Sequence, residues 1–131
     1  MARKILLVAR NPIFVSTFVR VIQGPENEVI PVSNTQSALT KFLEFPDIDC
    51  VVIDQSEKIE GLELIAQMRK SERTISICLL DNEAGFTKEM REKAARLGVN
   101  CILMKPVTVH DLLNNFVIAP TPDIEDLGDG S

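Results

Sequence analysis

Five short apolar runs alternate along this chain with segments of helical period, and this alternation limits the folds open to it. The runs are continuously apolar instead of alternating with polar residues, which is typical of strands buried on both faces of a sheet. Neighbouring parallel strands need a crossover between them, and the intervening segments can supply a helix for each one. The pattern therefore predicts an α/β fold with a five-stranded parallel sheet.

Turn and capping residues bound these elements. Pro12 stands where a helix tolerates proline, Gly24-Pro25 ends that helix, and Gly98 favours a left-handed helix stop. Ser33 or Asn34 is a candidate helix cap. The predicted strands are residues 5–9, 28–32, 50–53 leading to Asp54, 75–80 and 99–104, and the predicted helices are about 12–22, 34–45, 61–70, 87–97 and 108–117.

The composition fits one compact domain followed by a tail. The chain has 131 residues, of which 45% are hydrophobic and 25% charged. Residues 119–131 contain two prolines, two glycines and four acids, so we expect a domain at 1–118 and an acidic flexible tail or linker at 119–131. The tail acids account for four units of the net charge of -5, which leaves about -1 for residues 1–118. A nearly neutral domain predicts no nucleic-acid binding by this domain.

The cysteines and the start of the chain indicate a location inside the cell. Cys50, Cys78 and Cys101 are widely spaced beside apolar runs, with no CxxC pair, which favours core thiols in a reducing compartment over metal binding. The start, MARKILLVA, has no cleavage signal and lacks the ~20 apolar residues needed to span a bilayer. We therefore expect a cytoplasmic protein without membrane partners.

Residues that follow the strands are the candidates for function, because parallel sheets bind ligands beyond the carboxyl ends of their strands. Asp54 closes the third run, and Lys105-Pro106 closes the fifth. A carboxylate at a strand end is more often a turn former when it stands alone. An ammonium group near it would neutralise either the carboxylate or a phosphoryl group attached to it.

Three motifs now point to a family. KILLVARNP, CVVIDQSEKIEGLELI and LGVNCILMKPV together resemble the receiver domains of two-component response regulators, the family of CheY, over about residues 3–118. The resemblance implies a flavodoxin-like, doubly wound five-stranded parallel sheet in the order 2-1-3-4-5 with five helices. It also implies that Asp54 occupies the phospho-acceptor position and that Lys105 is the lysine that contacts the phosphoryl group.

Several positions depart from the family pattern. Ala9 and Arg10 stand where the family has an acidic pair that helps to hold Mg²⁺, so two oxygen ligands are missing. By our alignment Leu80 occupies the position of the family's threonine or serine, and Ile102 that of its switch aromatic. The loop after Asp54 lacks the usual Met-Pro, and Gly61 comes one residue early. These changes predict a degenerate phosphorylation pocket without bound metal.

Two arrangements of this pocket remain open. In the first, the Arg10 guanidinium pairs with Asp54, fills the volume of the missing metal and acts with Lys105 as a second cation. In the second, Arg10 points to solvent and Asp54 pairs with Lys105 alone. Asp81, with the residues after it, favours capping of the next helix over a role in the pocket. His110 is expected to be an exposed helix residue and not a metal or relay site.

The function predicted from these observations is signal transduction by a pseudo-receiver, not an enzyme and without a cofactor, that binds a partner protein or its own output domain. The main alternative is an active response regulator in which a histidine kinase phosphorylates Asp54 with help from Mg²⁺. A small-molecule-binding flavodoxin-like domain is a minor alternative, because no glycine-rich phosphate loop is present.

Overall fold

The computed structural model of this chain describes residues 3–106, 108 and 110–112. Five strands form one parallel sheet in the order β2-β1-β3-β4-β5, and helices connect successive strands. This is the flavodoxin-like order predicted from the sequence. The strands are β1 (Arg3–Val8), β2 (Asn27–Val32), β3 (Ile48–Asp54), β4 (Ser76–Asp81) and β5 (Cys101–Met104), and the helices are α1 (Pro12–Ile22), α2 (Thr35–Glu44), α3 (Gly61–Arg69) and α4 (Lys88–Arg96).

Side-chain caps set the starts of three helices. Asn11 Oδ1 accepts hydrogen bonds from the backbone amides of Ile13 and Phe14 at the start of α1. Asn34 accepts from the amide of Ser37 in α2, and Thr87 caps α4 in the same manner. Short polar residues that satisfy free helix amides therefore define these boundaries, which is why α1 has the bounds that the sequence predicted.

Two apolar layers enclose the sheet, one on each face. On one face the strands pack against α1, and on the other they pack against α2, α3 and α4, so β1, β3 and β4 are buried from both sides. The first layer includes Ile5, Leu7, Phe18, Ile22, Val52, Cys78, Leu80 and Leu112, and the second includes Leu6, Val8, Ala38, Phe42, Val51, Ile53, Ile65, Met68, Leu79 and Ala94.

Some element boundaries differ from the prediction. β4 continues one residue further, to Asp81, and β5 begins only at Cys101. β5 starts later because the residues before it form the turn that ends α4, in which Gly98 adopts φ +71°. Asn100 then hydrogen-bonds to Ile77 through both its backbone amide and its side chain.

The predicted fifth helix is described only at its start. Thr108 and Asp111 form a reciprocal cap, in which each backbone amide donates to the other's side chain at 3.0 Å, and residues 110–112 are helical. The rest of that helix and the predicted tail at 119–131 lie outside the described residues. No helix in the described part has the length and apolarity needed to cross a bilayer.

Arg73 joins the end of α2 to the start of β3. Its guanidinium donates to the carbonyls of Phe42, Phe45 and Ile48, and it stacks 3.8 Å from the centroid of the Phe42 ring. Carbonyls at the end of a helix have no partner within the helix, so the guanidinium supplies a donor to the Phe42 carbonyl and links it to the carbonyls that follow.

We expect Arg73→Met to lower the free energy of unfolding by about 2–4 kcal/mol, because it removes charge-assisted hydrogen bonds from partly buried carbonyls while keeping an apolar chain against Phe42. Urea denaturation followed by circular dichroism measures this. Lys88→Met is the matched control: the Lys88 side chain is 90% exposed, so this change should have little effect. Equal losses in the two variants would contradict this role for Arg73.

Candidate functional site

The candidate site lies at the carboxyl edge of the sheet, where an acidic residue at the end of β3 and a basic residue after β5 lie in one crevice. Asp54 is the last residue of β3, and Lys105 directly follows β5. Lys105 Nζ lies 2.9 Å from Asp54 Oδ2. The Asp54 side chain is 0% exposed, whereas that of Lys105 is 22% exposed. The two residues that the sequence singled out are therefore in direct contact.

Ser56 completes the hydrogen bonding of the Asp54 carboxylate. Its hydroxyl donates to Asp54 Oδ1 at 2.6 Å, and its backbone amide donates to the same oxygen at 3.0 Å. The Ser56 hydroxyl in turn accepts from Lys105 Nζ at 3.1 Å. Both carboxylate oxygens thus have donors within the protein, as a buried anion requires.

Backbone contacts hold Lys105 in this position. Its amide donates to the Asp81 carbonyl at 2.7 Å, which extends the pairing of β4 with β5 by one residue. The Lys105–Pro106 peptide bond is cis, and the ammonium group lies 5.9 Å from the centroid of the Phe14 ring in α1. The cation therefore projects from a fixed strand end towards Asp54.

Arg10 occupies a different part of the edge. Its side chain is exposed, and its Nε donates to the Ser33 carbonyl at 3.1 Å. Within the described part of the chain, the cation bound to Asp54 is Lys105. The structure agrees with the second predicted arrangement in pairing Asp54 with Lys105, but Arg10 contacts the Ser33 carbonyl, a partner that neither arrangement predicted. Ala9 is buried and presents only a methyl group where a carboxylate ligand would be needed.

A second buried carboxylate, that of Asp81, fastens the neighbouring loops together. Asp81 is 7% exposed, and its Oδ2 accepts from Gln55 Nε2 at 2.7 Å. Its Oδ1 accepts from the amide of Asn82. Gly85 lies so close that a β-carbon there would overlap the carboxylate. The bond between Gln55 and Asp81 connects the turn after β3 with the end of β4.

These contacts correct two predictions. The segment that begins at Asp81 does provide a cap, but through Asn82, which accepts from the amide of Gly85 in a short 3₁₀ turn, whereas Thr87 caps α4. Leu80 does not lie at the strand end: it is fully buried inside β4, beside Asp54 in the register, and Asp81 takes the terminal position. The strand is longer than its apolar run because Asp81 has buried hydrogen-bond partners.

The remaining candidates lie away from the ion pair. Ile102 is half-buried in β5, pairs with Leu79 and packs on the α2–α4 side of the sheet. His110 is exposed in the first helical turn after Thr108, as the sequence predicted.

The side chains of the crevice do not fit Mg²⁺. This ion prefers six oxygen ligands in near-octahedral geometry, several of them water. Here the oxygens of Asp54 are held by Ser56 and Lys105, and Asp81 is held by Gln55. Among the residues described, no three His, Cys, Asp or Glu side chains converge in a way that could hold a metal.

The sequence reasoning missed Ser56 and Gln55, which it placed in a polar loop without individual roles. The loop begins with a short 3₁₀ turn, Gln55–Glu57, that directs Gln55 to Asp81 and Ser56 back to Asp54. An available signal was the Asp-x-Ser spacing, since an aspartate commonly accepts from the backbone two residues on.

Comparison with known proteins agrees with this geometry. A family model described as "Response regulator receiver domain" matches residues 5–116. A comparison with curated proteins found no significant match.

Several solved structures share the fold. The receiver domain protein (CheY-like) from Methanospirillum hungatei JF-1 superposes with a TM-score of 0.75 at 21% identity, over 87% of this chain and 90% of that one. Chemotaxis protein CheY4 of Vibrio cholerae gives 0.76 at 20% identity, over 87% and 95%. A receiver domain protein from Clostridium thermocellum gives 0.69 at 25% identity, over 86% and 88%.

We expect Lys105→Met to lower the free energy of unfolding by about 3–5 kcal/mol near neutral pH, because it leaves a buried carboxylate without its cation. Asp54→Asn should cost only about 1 kcal/mol, because the carboxamide retains hydrogen bonds and the ammonium group can turn to solvent. Urea titrations of both variants and of the double variant measure this asymmetry. Equal costs would contradict the buried ion pair described above.

We expect Gly85→Ala to cost about 1–3 kcal/mol, because its methyl group would displace the Asp81 carboxylate from Gln55. Gly24→Ala is the matched control: Gly24 has no heavy atom within 4 Å of a built β-carbon, and its φ is not in the positive range. Thermal unfolding compares the two variants. A larger loss for Gly24→Ala would disprove the close packing of Gly85 against Asp81.

Proposed function

Because the chain belongs to the family of response regulator receiver domains, we propose that it is a pseudo-receiver: a signalling domain that acts by binding another protein, with a degenerate phosphorylation pocket. Its partner is a separate protein or an output domain in the same chain. The same proposal includes a cytoplasmic location, a domain at 1–118 followed by a tail at 119–131, and no catalytic activity of its own. Neither nucleic acid nor membrane is a partner of this domain.

One observation carries the proposal, namely that the Asp54 carboxylate is buried and that both of its oxygens accept hydrogen bonds within the protein. To accept a phosphoryl group, a carboxylate oxygen must approach the phosphorus atom in line with the leaving group. Asp54 is 0% exposed, with Ser56 donating to one oxygen and Lys105 to the other. Attack would require these hydrogen bonds to break before the donor could enter.

The electrostatics of the crevice support the same conclusion. Transfer brings a highly charged phosphoryl donor to a carboxylate, and metal ions commonly neutralise that charge. Ala9 and Arg10 supply no oxygen ligands for a metal, and Lys105 is already paired with Asp54. A pocket of this kind remains in one electrostatic state, which suits a domain whose partner surface is permanently presented.

A second candidate function, an active phospho-acceptor receiver, has one observation in its favour. Asp54 and Lys105 retain the acceptor and lysine positions of the family, and they are in contact at 2.9 Å. If the loop from Gln55 to Glu57 opens, Lys105 would be correctly placed to contact a phosphoryl group on Asp54. In this candidate function the partner is a histidine kinase and Mg²⁺ assists the transfer.

Incubation with acetyl phosphate and Mg²⁺, followed by intact mass measurement, decides between the two. We expect the wild-type chain to show no phosphoryl adduct, because its acceptor oxygens are occupied and its metal ligands are missing. An adduct that depends on Mg²⁺ and disappears in Asp54→Asn would reject the pseudo-receiver and establish the active receiver.

A gain-of-function variant tests the cause. The double variant Ala9→Asp with Arg10→Asp restores two carboxylates at the end of β1, and we expect Mg²⁺ to raise its melting temperature while leaving that of the wild type unchanged. Equal stabilisation of both proteins by Mg²⁺ would show that the acidic pair is not what the wild type lacks.

A further inference from the structure

Two cysteines face each other in neighbouring strands, well below the crevice. Cys78 in β4 and Cys101 in β5 are direct register partners. Neighbouring strands lie about 4.8 Å apart, so the α-carbons of such partners fall within the range of about 4.4–6.8 Å that disulfides span. Paired residues of parallel strands project to the same face, and both thiols belong to the core layer that packs against α1.

The backbone around the pair is held in place. Directly before it, the Asn100 amide donates to the Ile77 carbonyl at 2.9 Å, and the Asn100 side chain accepts from the Ile77 amide at 2.8 Å. Directly after it, Leu79 pairs with Ile102. The two thiols are therefore kept opposite each other by contacts that do not involve the sulfur atoms.

The two thiols differ in access and in acidity. Cys101 is partly exposed, whereas Cys78 is fully buried. A hydrogen bond from the Cys78 thiol stabilises the thiolate of Cys101 and lowers the pKa of Cys101 to about 7. The same contact, with burial, raises the pKa of Cys78 far above its usual range. Cys101 is thus the thiol that meets a reagent first, and Cys78 is the one beside it.

We propose that Cys78 and Cys101 form an oxidisable pair that a hydroperoxide converts into a disulfide between β4 and β5. The Cys101 thiolate attacks the terminal oxygen of the hydroperoxide, the O–O bond breaks, and sulfenic acid forms with release of water or an alcohol. The Cys78 sulfur then attacks the sulfenic sulfur, which releases water and leaves the disulfide. Overall, two thiols are oxidised and one hydroperoxide is reduced.

The cross-link would act on the strand that leads to the crevice. It ties β5 to β4 three residues before Met104, which is followed by Lys105, and the loop that it closes contains α4. Oxidation would therefore restrain the pairing of these strands without any change at Asp54.

Cys50 serves as an internal control for this chemistry. It lies in β3 on the same face, but its register partner is Ser76 and not a cysteine. It is also buried, and burial raises the pKa of Cys50 to about 12. Cys50 should therefore remain a thiol while the pair reacts.

The test treats the reduced full-length chain with hydrogen peroxide, then denatures it, alkylates free thiols and maps the peptides without reduction. The reduced chain takes three alkyl groups, one for each cysteine. We expect the oxidised chain to take one, on Cys50, to lose two hydrogens in intact mass and to yield a Cys78–Cys101 peptide. Dithiothreitol should restore all three labels.

Variants define the order of the steps. Cys50→Ser should form the disulfide as the wild type does, and Cys78→Ser should stop at a sulfenic acid on Cys101 that dimedone traps. A disulfide that includes Cys50, or sulfinic acid at Cys101 without the disulfide, would overturn the proposal, as would three free thiols after treatment. The peptide map of the wild-type chain distinguishes these outcomes even if a variant fails to fold.

Discussion

A carboxylate removed from water must be neutralised within the protein, and this requirement at Asp54 organises the carboxyl edge of the sheet. Asp54 ends the central strand, and its side chain is fully buried. Lys105, which follows the edge strand β5, provides the neutralising positive charge. Ser56 provides the other hydrogen-bond donors to the carboxylate. The turn after β3 places Ser56 beside Asp54, and β5 places Lys105 there. Phe14 of α1 lies next to the Lys105 ammonium group.

The same requirement underlies the proposed difference between this pocket and that of a phospho-accepting receiver. A receiver needs an acceptor oxygen that is free and a metal that screens the incoming charge. In this chain Ala9 and Arg10 supply no oxygen ligands for a metal, and Ser56 and Lys105 both donate to the Asp54 carboxylate. Under the proposed function, the hydrogen bonds that stabilise the crevice would also oppose phosphoryl transfer to Asp54. Fold and family alone do not fix this function, because function depends on the side chains of the site.

The pairing of β4 with β5 links the crevice to the rest of the molecule. At the carboxyl end of the two strands, the amide of Lys105 donates to the Asp81 carbonyl. The Asp81 carboxylate in turn accepts from Gln55, which ties the turn after β3 to the end of β4. Nearer the start of β5, the same strand pairing places Cys78 opposite Cys101. One strand pair therefore supports the cation of the crevice, the connection to the turn after β3 and the cysteine pair, although these features are far apart in the sequence.

The sequence by itself determined the architecture. Continuously apolar strands separated by helices must be buried on both sides, and a parallel sheet covered by helices on both faces achieves this. It also identified Asp54 and Lys105, since residues at strand ends meet at one edge. Only the tertiary structure decided their environment: Ser56 turns back to Asp54, Asp81 is buried against Gly85, and Arg10 contacts the Ser33 carbonyl. It also decided that two distant cysteines are neighbours. The physical reason is that periodicity reports which face of an element is buried, whereas hydrogen-bond partners and strand register depend on contacts between segments that no local pattern encodes.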